Sequence, residues 1–424
     1  MLYVGLLITI FVDYVRPDAY IPIISILKIN TIIPILVLIG AIFYSDKNKN
    51  KKIIDHMNSK LLLFFIFLLV VSILISDVTL YSYKVFKVVI GFILWYYIII
   101  KIVTDIDKLK GVFTIFVISH VLLVILNPNI ILDPSTRTYI TGNAFLGDGN
   151  DFALSASLTI PMCIFMIIEN KNIYKRSLYI AAFIVLILAI IGTQSRGASL
   201  ALFGTFIYLW WMSKQKIIGV LLMISVGVMV LSFAPPVYFE RMNSIVNYES
   251  EGSAMGRIIA WKTAIRMANE YPLTGVGAGH FPVKLGTEFR PPEFGDENLP
   301  WITAHSSYFL ILGELGLPGI VFFLTLIIGN YINNNKYIKT VMNGDINKEL
   351  KTPYRNMFLM LNSSLVAFAI GGAFLSVAYY PHIYVLSGLI VAAQYTFLSD
   401  CKKFEEHIEH RKKESRPYRF KYYR

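Results

Sequence analysis

The chain has 424 residues, 56% of them hydrophobic and 16% charged, with a mean hydropathy of +0.60. That composition excludes an ordinary water-soluble globule and points to a polytopic membrane protein. The formal charge of +12 does not indicate a nucleic-acid partner, because Lys and Arg sit in short clusters between apolar runs, as topology signals do.

Taken in order, the apolar runs predict about twelve transmembrane helices: 2–15, 30–45, 61–76, 84–104, 111–127, 151–168, 177–194, 197–212, 217–234, 305–330, 356–378 and 382–399. The expected fold is therefore all-α. It comprises N-terminal transmembrane helices over 1–234, one large extracytoplasmic loop over 235–304, C-terminal transmembrane helices over 305–399 and a basic cytoplasmic tail over 400–424. The first run lacks a basic leader and a small-x-small cleavage site, so it reads as a retained helix and not as a signal peptide. Neither cysteine, Cys163 or Cys401, fits a disulfide framework or a thiolate metal site.

Charge sorts the loops. Lys47, Lys49, Lys51, Lys52 and Lys60, then Lys171, Lys175 and Arg176, then Lys214 and Lys216, the run 336–355 and the tail all fall on one side, which the positive-inside rule makes cytoplasmic. The segments 16–29, 128–150, 192–197 and 235–304 then face outward. Within the last of these, Ser253 is a helix N-cap and Pro272 a stop, with Ile258, Trp261, Ile265 and Ala268 on one face. The spacing predicts an amphipathic helix on the membrane surface. The Gly- and Pro-rich remainder, from Gly275 to Pro300, is expected to be irregular.

Candidate chemistry clusters at the outer face. Arg196 stands in a short turn between two apolar runs, either as an interfacial anchor or as a fixed guanidinium for an anionic group. Arg257 and Trp261, four apart, share a helix face and could hold a phosphate beside a sugar ring, or simply seat the helix on headgroups. His305 opens the tenth apolar run, where an imidazole can serve as a general base or as a polar cap. His280, after the turn Gly275-Val276-Gly277-Ala278-Gly279, faces the same choice and ranks second. Glu314 lies about 13 Å deeper than His305 along a helix, a depth that demands a partner. Gly313, Gly316 and Gly319 suggest close helix approach there. Asp133, Asp148 and Asp151 match no EF-hand spacing and read as loop residues, not as a metal site.

Together, Ser195-Arg196-Gly197-Ala198, Gly256-Arg257 with Trp261, Pro272 with Gly275-Val276-Gly277, and His305-Ser306-Ser307-Tyr308 with Glu314-Leu315-Gly316 and Gly319 resemble the bacterial O-antigen ligase family. Asp13-Tyr14-Val15-Arg16-Pro17 and Asn150-Asp151-Phe152-Ala153 are similar to its exosortase-associated O-glycosylation branch. The resemblance implies an inner-membrane glycosyltransferase of the multi-pass, lipid-linked-sugar type, active on the periplasmic face without a metal or other cofactor. It implies an undecaprenyl diphosphate-linked glycan as donor and lipid A–core or another envelope acceptor. Arg196 and Arg257 correspond to diphosphate-binding arginines and His305 to a base, with Trp261, His280, Tyr308 and Glu314 as further substrate-binding candidates. A polysaccharide polymerase using the same donor, or a lipid-linked glycan transporter, are the alternatives. A transporter is expected to show polar residues or broken helices near the bilayer midplane.

Overall fold

A computed structural model of the chain describes residues 1–44, 53–133, 140, 142–143, 145–213, 215–236, 238–239, 252–291, 302–344 and 346–414. Lys47, Lys49, Lys51, Lys52 and Lys214, the parts 240–251 and 292–301 of the expected outer loop, and the end of the tail from 415 lie outside them.

The described residues are helical throughout. In chain order the helices are α1 Leu2–Val15, α2 Pro22–Ile26, α3 Ile29–Phe43, α4 Met57–Ile75, α5 Thr79–Ile102, α6 Ile106–Leu126, α7 Asn129–Leu132, α8 Gly149–Glu169, α9 Ile173–Gly192, α10 Arg196–Met212, α11 Lys216–Phe233, α12 Gly252–Glu270, α13 Phe281–Gly286, α14 Ser307–Asn343, α15 Lys348–Gly371 and α16 Pro381–Glu414. Eight of them, α4, α5, α6, α8, α9, α11, α14 and α16, are long and apolar enough to cross a membrane. The apolar helices α1, α3 and α10 are shorter, at 14, 15 and 17 residues, and α15 begins in a polar stretch. Several starts are fixed by short polar side chains that satisfy otherwise unpaired amides. Asp105 accepts from Lys108 N at 2.9 Å, Asp148 from Asn150 N at 2.8 Å, Asn172 from Tyr174 N at 2.9 Å and Asn347 from Glu349 N at 3.0 Å.

Helix α8 is the hub of the bundle, packed against α6, α9, α10 and α15 and buried along most of its length. Helix α11 is the opposite case, with Val226 its one buried residue. Polar side chains tie spans together in the interior, as Asn58 donating to Asn330 at 2.7 Å and Asn334 to Asn362 at 2.8 Å show.

Two expectations need correction. The run 356–378 was expected to be helical to its end, but α15 stops at Gly371 and residues 372–380 form an irregular connection. The surface helix also turns a different face inward. In α12 the buried residues are Ala260, Thr263, Ala264, Met267 and Ala268, while Ile265 is 45% exposed. Small side chains let α12 lie close on α14, and a face led by bulky Ile258 and Ile265 would hold it off.

Candidate active site

The connection 372–380 gathers the parts of the site. Ser307, the first residue of α14, donates its backbone N–H to Gly372 O at 2.7 Å and its hydroxyl to Leu375 O at 2.7 Å, while Val377 N–H donates to Ser307 Oγ at 3.0 Å. Thr303 donates to Ser376 Oγ at 3.0 Å. Gly197, next to Arg196, packs on the same connection so closely that a Cβ there would stand 2.9 Å from Phe374 Cβ. From above, Trp261 Nε1 donates to Ala304 O at 3.0 Å and its ring stacks on Phe309, centroids 5.2 Å apart. Gly256 faces Ile302, with 3.7 Å between a built Cβ and Ile302 Cδ1. The backbone segments carrying Arg196, Arg257 and His305 therefore meet at one end of the bundle.

Local backbone geometry marks the same place. His305 adopts a left-handed conformation at φ 47°, and Gln194, two residues before Arg196, does so at φ 54°. Neither is glycine, so each costs about 1–3 kcal/mol that surrounding contacts must hold in place. Arg196 is the first residue of α10, capped by Ser195, whose hydroxyl accepts from Ala198 N at 3.3 Å. The guanidinium thus stands where the helix's own amides also favour an anion. Ser306, the N-cap of α14, makes no capping bond, and its buried hydroxyl has no partner. Such a hydroxyl beside a strained histidine is available to a ligand oxygen. The motif contained Ser306, but only the failed cap singles it out.

Below this lies a second, closed junction. Helix α14 is broken at Gly316, at φ 66° and ψ −160°, and the turn after α12 plugs the gap. Val276 N–H donates to Gly313 O and Gly277 N–H to Glu314 O, both at 3.0 Å, and Leu317 N–H donates to Pro272 O at 2.8 Å. One inserted loop thus pairs three backbone groups beside the break, as irregular backbone within an apolar bundle requires. Gly275 has no alternative there: its φ is 62°, and a Cβ would stand 2.3 Å from Glu314 C. The expected approach of another helix holds at Gly313, which meets α12 and α13, and is corrected at Gly316 and Gly319. Gly313 receives Phe281 with Met267 and Gly316 receives Pro272 with Gly275, whereas Gly319 meets its own helix at Leu315 and Ile311.

This junction engages two of the candidates, Glu314 and His280, in internal hydrogen bonds. Glu314, 1% exposed, accepts from Phe281 N at 3.0 Å with Oε1 and from the Tyr379 hydroxyl at 2.7 Å with Oε2. His280, also 1% exposed, accepts from Val78 N–H at Nε2 over 3.2 Å, so Nδ1 carries the proton and donates to Ala278 O at 3.2 Å. Tyr308 donates to Ala369 O at 2.8 Å and Trp261 to Ala304 O, so the structure spends their polar atoms on positioning. Lys284, on α13, pairs with Asp77 at 2.6 Å and with Glu288. The Lys284 hydrogen bond and charge hold the Asp77 carboxyl below the usual carboxylate range.

Sequence reasoning missed the connection 372–380 itself. Tyr379 reaches Glu314, and the Tyr380 hydroxyl donates to Asp151 Oδ2 at 3.3 Å. Asp148 is the N-cap of α8, accepting from Asn150 N. Only the aromatic-polar alternation Leu375-Ser376-Val377-Ala378-Tyr379-Tyr380 could have signalled a turn. Its apolar residues read as helix instead.

Residues 181–324 match the family model described as O-antigen ligase. That segment holds Arg196, Arg257, Trp261, His280, His305, Tyr308 and Glu314. No curated protein matches the chain. The matched segment of this helical membrane protein spans both the broken helix and the turn where the candidate segments converge, and over that third of the chain it is similar to the O-antigen ligase family.

Proposed function

We propose that the protein moves a glycan from undecaprenyl diphosphate to an envelope acceptor, lipid A–core or another, on the periplasmic face of the bacterial inner membrane. The observation that carries this reading is the meeting of the Arg196, Arg257 and His305 segments on one turn. In the proposed step, His305 takes the proton of the acceptor hydroxyl as its oxygen attacks the anomeric carbon. The bond from that carbon to the diphosphate oxygen breaks on the opposite side, so the configuration inverts and undecaprenyl diphosphate leaves. Charge grows on the leaving diphosphate as the bond opens, so Arg196 and Arg257 stabilise the transition state more than the ground state. Two arginines in this role supply the positive charge otherwise asked of a metal.

A groove beside Arg196 supports the donor assignment. It encloses about 380 Å³ between α9, α10 and α11, lined by apolar residues such as Ile191, Phe203, Phe206 and Met223, with Ser199 and Tyr238 among the lining. Tyr238 donates to Ser199 at 3.2 Å, one helical turn beyond Arg196. A polyprenyl chain in this groove would leave its diphosphate next to that guanidinium. The twelve-helix topology, with both termini cytoplasmic, belongs to the same proposal.

The test is donor affinity measured beside transfer rate in purified variants, with and without EDTA. His305→Ala is expected to cut transfer by about 10²–10⁴-fold while donor binding holds. Arg196→Ala and Arg257→Ala are expected to weaken donor binding too, by roughly 1.5–3 kcal/mol each. Wild-type activity is expected to survive EDTA. Normal transfer by His305→Ala would sink the base assignment, and elongation of a second lipid-linked glycan in place of the acceptor would make the protein a polymerase.

A further inference from the structure

The end of the bundle opposite Arg196 carries a feature that transfer does not use. A groove of about 690 Å³ lies between α6, α8 and α9, walled by Thr114, Val117, Val121, Met166, Tyr179 and Ala182. Its outer edge is apolar and open, with Ile118 47%, Ile125 64% and Leu178 71% exposed. Along α6 it runs from Lys110 to Ile125, about 22 Å at the helical rise, which is more than half of a hydrocarbon core of roughly 30 Å. Thr114 and Tyr179 share a hydrogen bond of 2.8 Å that fixes α6 against α9.

The groove is basic at one mouth only. Lys110 comes from the first turns of α6, Lys175 from the first turn of α9 and Asn170 from the end of α8. Asp107 lies 3.4 Å from Lys110 Nζ but is itself 86% exposed, so solvent screens much of that pair. Lys175 makes no ion pair among the described residues, and Lys171 and Arg176 add charge to the same turn. Glu169, the nearest acid there, accepts from Asn356 at 3.0 Å. A long apolar slot with cations at one end is complementary to an amphiphile with a negative headgroup.

We infer that this groove binds an anionic glycerophospholipid, its phosphate between Lys110 and Lys175 and an acyl chain laid along α6. The site sits at the far end of α9 from Arg196 and does not rest on the transfer reaction. Its test is native mass spectrometry of the full chain released from equimolar phosphatidylglycerol and phosphatidylcholine with identical chains. The wild type is expected to retain phosphatidylglycerol preferentially. Lys110→Gln and Lys175→Gln are each expected to lower that preference about fivefold, the equivalent of ~1 kcal/mol for one basic side chain at an anionic headgroup. Ala182→Trp, which fills the slot, is expected to reduce retention of both lipids. Equal retention of the two lipids by the wild type would overturn the proposal. So would an equal loss of preference in Lys216→Gln, a basic residue outside the groove.

Discussion

His280 and His305 both lie beside the first half of α14, one buried and the other partly exposed. His280 is buried, with one ring nitrogen accepting from Val78 N–H and the other donating to Ala278 O. The backbone fixes the orientation of its ring. His305 is partly exposed and left-handed, between a carbonyl claimed by Trp261 and a serine whose hydroxyl is unclaimed. The lesson is that position near a glycine-rich turn does not distinguish a base from a structural pin. For His280, backbone bonds at both ring nitrogens mark the structural pin.

The comparison can be broken first at Gly275. Gly275→Ala is expected to cost at least ~2 kcal/mol, because the position needs a positive φ and the new methyl would meet the α14 backbone. Thermal unfolding in detergent reads this directly, and an unchanged midpoint would show that the inserted loop does not secure the broken helix. Next, His280→Ala is expected to destabilise by about 1–3 kcal/mol, since it strands the Val78 amide, while transfer per folded molecule stays near the wild-type rate. A variant that unfolds normally but transfers nothing would reverse the roles of the two histidines. The smallest effect concerns Asp77 and Lys284. The Asp77 carboxyl is held low in the folded state, so its contribution is present above the unfolded value of about 3.9 and disappears as pH falls through the folded one. Because Asp77 is 67% exposed, that contribution is no more than a few tenths of a kcal/mol. Lys284→Met is expected to lower the unfolding midpoint slightly at pH 7 and not at pH 2. An equal difference at both values would remove the ion pair from the account of how α13 is anchored.

Each of the twelve apolar runs overlaps a helix, because burial in lipid is decided by composition over a whole turn or more, while the short helices α2 and α7 escaped notice. Hydropathy misjudged the ends. Helix α14 continues to Asn343 and α16 to Glu414, since polar residues extend a helix as readily as apolar ones once it is nucleated. It missed the stop at Gly371 for the reverse reason: Ala373, Phe374 and Leu375 are apolar, yet Ser307 supplies the bonds that let the chain leave the helix. The break at Gly316 was equally hidden. A glycine every third residue looks the same whether a helix or a loop fills the space. The arginines and His305 were legible because charge at an apolar boundary is rare enough to notice. Trp261, Tyr308 and Glu314 were noticed for the same reason, but their internal partners sit far away in sequence and leave no local trace.

The connection 372–380 has a consequence for biosynthesis. It joins α15 to α16, and it supplies partners for Ser307, Thr303, Glu314 and Asp151, all of which leave the ribosome before it. Until it arrives, the chain holds both arginines and His305 but lacks the frame that brings them together. A protein truncated before residue 372 would therefore carry the whole matched segment and lack every one of these partners.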